Sequence, residues 1–260
     1  IVLSSCNVKK YIPEGETLYT GAKLEIETNG KIEEFSKVES ELEESIRPRP
    51  NSKFLGARLG LYFHYKAQRE KPGFINRFFN KRMGEEPVYE SQVNLERTEE
   101  IINNRLENNG FFMNNVSSEI IKTEKKKKAQ AVYKISITEP YLVGNYTVDE
   151  DSTAIYEAIK NTLPETIIKK GMRFDLAMLK AERERINRAL KLKGYYNFNA
   201  DFLTFEADTN RYDNRKFDLF LRLKKEAPKA SLIPYRVSKI EVHPNYIIGN
   251  DTVQETVTEL

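Results

Sequence analysis

The 260-residue chain contains no tryptophan, one cysteine and two histidines. One cysteine excludes an intrachain disulfide framework and a structural zinc site built from thiolates. His64 and His243 have no serine or cysteine nucleophile motif beside them, so surface or packing roles fit better than catalysis. No glycine-rich phosphate loop is present, and the acidic pairs Glu43-Glu44 and Glu99-Glu100 fall on charged helix faces, where water satisfies them. No run approaches the roughly 18 consecutive apolar residues that a membrane-spanning helix needs. Forty-two Lys and Arg stand against 39 Asp and Glu, a net charge of +3 that is too balanced for a nucleic-acid footprint. No cofactor is implied.

What is present is aromatic core material, 14 Tyr and 14 Phe, in a length that suits two domains. The chain opens Ile1-Val2-Leu3-Ser4-Ser5-Cys6-Asn7. An apolar run, two small residues and a cysteine resemble a bacterial lipobox, with residues 1–5 as the end of the leader and Cys6 as the acylated residue. The alternative is a small buried cysteine near a frayed terminus. An acyl anchor holds firmly, since each buried methylene contributes about 0.8 kcal/mol.

Self-comparison reveals a repeat. Over residues 95–109, Leu95, Ile101, Ile102 and Leu106 stand in a charged background, predicting an amphipathic helix that stops at Gly110. Phe111-Phe112 follows, then an alternating strand over 116–121, a lysine-rich turn at 125–128, and a strand with Tyr133, Ile135 and Ile137 on one face. The same order returns 84 residues later: a helix with Leu176, Leu179, Ile186 and Leu190, then Gly194, Tyr195-Tyr196, a strand over 200–205, and a strand with Phe217, Leu219 and Leu221. Pro140-Tyr141 and Pro234-Tyr235 close the two units at an offset of 94, leaving about ten extra residues for a loop in the second. Each Pro-Tyr segment leads into a strand, at 146–148 and 240–242, and helices at 153–163 and from 175 complete a strand-helix-helix-strand-strand order.

A repeated β-α-α-β-β unit with a glycine-aromatic-aromatic break resembles the POTRA domain, found ahead of the membrane barrel in the BamA/TamA (Omp85) superfamily. Gly110-Phe111-Phe112 and Gly194-Tyr195-Tyr196 carry the resemblance, and Cys6 narrows it to the TamL-like lipoprotein type. It implies an α+β fold of tandem POTRA domains, each a three-stranded mixed sheet covered by two helices. The boundaries expected are a lipidated linker over 6–17, a first domain over 18–140 with an insertion at about 47–93, a second over 141–233, and the start of a third over 234–260.

Within the insertion, residues 55–65 suit a strand or a helix equally. Residues 74–82 predict a short amphipathic helix, which either packs on its own domain or meets a membrane surface or partner.

The resemblance implies a periplasmic arm at the outer membrane with no enzymatic activity. Its partners would be a C-terminal β-barrel of the same protein, unfolded outer-membrane clients, and a TamB-like protein anchored in the inner membrane. Membrane attachment would come through lipid and barrel. The second strand of each unit would be the open edge that pairs with an extended chain, through Val116, Ser118 and Ile120 and through Ala200, Phe202 and Thr204. The alternative is that neighbouring units or loops cover these edges and the array acts as a spacer.

Overall fold

The computed structural model describes residues 8–30, 32–149, 152–212 and 214–242. Cys6, residues 1–5 (expected to end a leader), His243 and the rest of 243–260 lie outside them. The fold is α+β, in two compact units that divide between Leu142 and Val143, with Arg173–Asp175 belonging to the first.

In the first unit β1 (Leu18–Thr28) is followed by α1 (Phe35–Ser45), α2 (Leu59–Ala67), α3 (Phe74–Met83), α4 (Leu95–Asn108), β2 (Asn114–Thr123) and β3 (Lys128–Ile137). The sheet order is β1-β3-β2, with β1 parallel and β2 antiparallel to the central strand. Alternation along β3 sends Ala131, Tyr133, Ile135 and Ile137 under α1 and α4, where Val38, Leu42, Ile102 and Leu106 meet them. Lys128, Gln130, Lys134 and Ser136 stay on the wet face. Each fully buried aliphatic side chain here contributes about 1.5–3 kcal/mol. Asn94 caps α4 by accepting the Arg97 N–H at 2.9 Å.

The second unit runs β4 (Leu142–Val148), α5 (Ala154–Lys160), α6 (Leu176–Leu192), β5 (Leu203–Asp208) and β6 (Lys216–Leu223), with sheet order β4-β6-β5. Ile155 and Ile159 of α5 and Ile186 and Leu190 of α6 pack with Leu221 of β6. Both units therefore place the last strand at the centre of the sheet.

The two glycine stops are built alike. Phe111 N–H reaches the Leu106 carbonyl and Gly110 N–H the Glu107 carbonyl, while Tyr195 and Gly194 bond in the same way to Leu190 and Lys191. Both glycines have positive φ, +86° and +93°, as this helix-ending loop requires. The first aromatic of each pair enters the core, and Phe112 and Tyr196 are exposed.

The insertion resolves as α2 and α3. The apolar alternation at 55–65 is overridden locally: Leu55 and Gly56 take positive φ in a tight turn closed by Phe54 and Ala57, and the helix begins at Leu59. Of the linker expected over 6–17, residues 8–12 are not free. Val8 and Ile12 are buried with Leu61 and Tyr65 of α2, and Tyr11 stacks on Tyr65 at 5.3 Å. The strand expected at 240–242 is not formed. Residues 234–242 lie in no ladder among the described residues.

Candidate partner-binding edges

Each sheet has two edges, and whether an edge can accept another chain depends on where its backbone N–H and C=O groups point. In β2 the phase follows from its neighbour pair: Thr138 N–H donates to the Met113 carbonyl at 3.3 Å, in register with the ladder. Alternation then turns the backbone groups of Asn115, Ser117, Glu119 and Ile121 toward β3, and those of Asn114, Val116, Ser118, Ile120 and Lys122 toward the open side. The side chains of this outward set fix the strand. Val116 and Ile120 pack against the core, and the Ser118 hydroxyl donates to the Glu99 carboxylate of α4. The expected residues Val116, Ser118 and Ile120 thus all present backbone to the edge.

The opposite edge of this sheet is covered over its first half by the insertion. Tyr19 N–H donates to the Val88 carbonyl and Glu90 N–H to the Thr17 carbonyl, both at 2.9 Å. Asn51 locks this cover by donating to the Glu86 carbonyl at 2.6 Å and accepting the Val88 N–H at 3.0 Å. Arg58 reaches the Thr20 carbonyl at 3.4 Å, and Pro50 lies against Gly21. Burial pushes the Glu90 carboxyl up, but hydrogen bonds from Lys122 and Thr17 outweigh it and hold the group below its usual range. A groove lined by Thr20, Leu24, Glu43 and Pro48 runs beside the strand.

The second unit differs from the expectation. Ala200 and Phe202 are not in a strand: residues Ala200–Phe202 form a 3-10 turn, because the Asn199 side chain accepts the Asp201 N–H at 2.9 Å and bends the chain locally. Lys224 N–H donates to the Phe202 carbonyl at 2.8 Å, which sets the phase of β5. Thr204 therefore points its backbone at β6, and the outward set is Leu203, Phe205 and Ala207. Of these, the Leu203 carbonyl is already taken by Arg183 of α6 at 3.1 Å, and Arg183 also pairs with Asp201 at 3.2 Å. The open stretch of β5 is short. Residue types carry no signal for this phase, since side-chain alternation reports only the sheet face.

The glycine-aromatic motif is architectural at its first aromatic. Phe112 lies edge-on to Tyr141 and Phe174 at 5.4 and 5.2 Å. Tyr196 is exposed beneath Lys191 at 5.8 Å. Among the described residues no group of three or more His, Cys, Asp and Glu side chains could hold a metal ion, and no helix is long and apolar enough to cross a membrane.

No protein-family model matches the chain, and no curated protein matches it. Among solved structures it is similar to BamA POTRA3–5 of Haemophilus influenzae, at 15% identity and a TM-score of 0.39, covering 81% of this chain and 67% of that one. It is also similar to POTRA1–2 of Omp85 from Anabaena, at 12% identity and a TM-score of 0.35, covering 80% of this chain and 96% of that one. The N-terminal domain of Omp85 from Thermosynechococcus elongatus matches at 14% identity and a TM-score of 0.31, covering 80% of this chain and 63% of that one.

Proposed function

We propose that the chain is a periplasmic POTRA arm of an Omp85-type outer-membrane protein, a binding scaffold and not an enzyme. It receives extended polypeptide at the edge of β2 and passes it toward a β-barrel in the same protein. The observation that carries this reading is the ten-residue edge of β2, with five outward backbone positions, in a sheet whose other edge is half covered. Backbone pairing recognises an extended conformation more than a side-chain sequence, which suits varied β-rich clients. Acylation of Cys6 would hold the arm at the outer membrane, and unfolded outer-membrane proteins would be the clients.

The second unit supports a different role. Its short β5 edge, with Leu203 already bonded to Arg183, fits a spacer that docks a TamB-like partner by other surfaces.

A proline scan tests the edge. Ser118 points its N–H outward, so Ser118→Pro removes no bond of the native ladder. With folding confirmed by circular dichroism, this variant loses binding of a synthetic alternating apolar/polar ten-residue peptide by about tenfold or more, and a photo-crosslinker at Ser117 no longer captures it. Ala207→Pro leaves binding unchanged. Equal binding by Ser118→Pro and the parent chain would sink the proposal.

A further inference from the structure

Helix α3 has its faces the wrong way round for a helix that only covers its own domain. Its sequence, Phe-Ile-Asn-Arg-Phe-Phe-Asn-Lys-Arg-Met, divides by helical spacing into two sides. Asn76, Phe79 and Asn80 are half-buried on the inner side. Phe79 stacks on Phe63 of α2 with ring centroids 4.9 Å apart. The C-terminal end of α3 sits so close to Gly60 of α2 that a Cβ there would lie 2.7 Å from the Met83 carbonyl oxygen. These contacts fix the orientation of α3 through its inner side. The outer side carries Phe74, Ile75 and Phe78, which are 82, 65 and 45% exposed.

Basic residues frame these apolar side chains. Arg77, Lys81 and Arg82 share the exposed side of the helix, the Arg82 guanidinium lies 5.2 Å over the Phe78 ring, and α3 contains no acidic residue. Between Lys66 and Arg82 there are six Lys and Arg and one acid, Glu70, in a chain whose charges otherwise nearly cancel. Arg77 and Lys81 pair with no carboxylate among the described residues. A protein groove would have to be apolar and acidic-rimmed at once to receive this face. A phospholipid surface with anionic headgroups supplies both properties over any area, acyl chains for the rings and phosphates for the cations.

We propose that the outer face of α3 is an interfacial membrane-binding element, seating Phe74, Ile75 and Phe78 beneath anionic headgroups that Arg77, Lys81 and Arg82 contact. This site is separate from the β2 edge and needs neither acylation nor a barrel.

Flotation tests it with the 260-residue chain carrying Cys6→Ser, so that no acyl group contributes. Vesicles of phosphatidylcholine mixed with phosphatidylglycerol retain this chain about tenfold better than phosphatidylcholine alone. Phe74→Ser combined with Phe78→Ser lowers that partition by about tenfold or more, and Arg77→Gln combined with Lys81→Gln lowers it by several-fold. All four positions are exposed, and circular dichroism confirms that the variants fold. The absence of tryptophan makes Phe78→Trp a sole reporter: its emission shifts to the blue with the mixed vesicles and is quenched by brominated acyl chains. A tryptophan placed at Phe112 shows neither change. Failure of the chain to float with anionic vesicles overturns the proposal. So does flotation untouched by the Phe74/Phe78 pair, because bare charge attraction would then explain it.

Discussion

Tyr141 donates its backbone N–H to the carbonyl of Gly110 at 2.9 Å, and Tyr235 donates in the same way to Gly194 at 2.7 Å. The Pro-Tyr segment of each unit is thus tied to that unit's own helix stop, although 31 residues separate the partners in one unit and 41 in the other. The tie explains why glycine is needed for space as well as for φ. A Cβ at Gly110 would lie 3.0 Å from the Phe174 carbonyl oxygen, and one at Gly194 would lie 2.6 Å from that of Tyr235.

Alanine substitution separates the two effects. Gly171 also has positive φ, +82°, but has nothing within 4 Å of a built Cβ. Gly171→Ala therefore reports backbone strain alone, a loss of about 1–2 kcal/mol. Gly194→Ala adds the steric conflict and loses more, with faster hydrogen exchange at the Tyr235 amide. Equal losses for the two variants in urea unfolding would show that the close approach contributes nothing.

Helices α4 and α6 and strands β3 and β6 are legible in the sequence because each combines a long apolar period with a glycine or turn stop. The insertion is less so. Gly60 reads as a weak point in a helix, yet it is where the chain end of α3 must approach. The 3-10 turn at Ala200–Phe202 depends on one side-chain bond from Asn199, which competes locally with the apolar pattern around it. Whether Thr204 or Phe205 faces the edge is set by pairing with β6, a tertiary fact that no side-chain pattern encodes. The cover on β1 is likewise hidden, because Val88–Glu90 are brought to it by Asn51 from 37 residues away.

Glu182 of α6 is fully buried and is gripped by Arg185, Nε to Oε2 at 2.9 Å and Nη2 to Oε1 at 2.8 Å. The Thr166 hydroxyl and the Ile167 N–H complete its shell at 2.7 and 3.2 Å. Burial alone would push this carboxyl up, but these bonds outweigh it and hold it below the usual range. Removing one partner leaves an uncompensated charge, so Arg185→Met destabilises the second unit by about 3–5 kcal/mol, and Glu182→Leu added to it recovers much of the loss. The pH dependence follows from the sign. With the folded pKa below the unfolded value of about 4.3, the contribution is complete above that value and disappears as pH falls through the folded one. Urea melts at successively lower pH should show the gap between the parent and Glu182→Gln closing in acid.

Tyr19 is wholly buried at the start of β1, and its hydroxyl has no hydrogen-bond partner among the described residues. Burial, with the neighbouring Tyr133 adding to it, pushes the phenol up to about 12. Phenylalanine keeps the ring and removes the unpaired polar atom, so Tyr19→Phe stabilises the first unit by about 1 kcal/mol at neutral pH. The gain grows in alkali. Above the unfolded value of about 10 the unfolded parent loses its proton while the folded one keeps it, so the parent's stability falls between about 10 and 12 and the variant's falls less. Thermal melts at pH 7 and pH 10.5 measure both effects, and a less stable variant at neutral pH would contradict the unpaired hydroxyl.

Asn51 holds the cover on β1 with two bonds that water cannot easily replace, because its side chain is buried. Asn51→Ala leaves the Val88 N–H and the Glu86 carbonyl to find other partners, at a cost of about 1–3 kcal/mol. The loss should be local. Amides of Tyr19 and Glu90, which bond across the cover, exchange faster by about tenfold or more, whereas Val132 at the sheet centre keeps its protection. A freed β1 edge is also a second pairing site, so the variant gains self-association that light scattering detects. Uniformly faster exchange across β1, β2 and β3 would mean that Asn51 supports the whole unit and does not guard this edge.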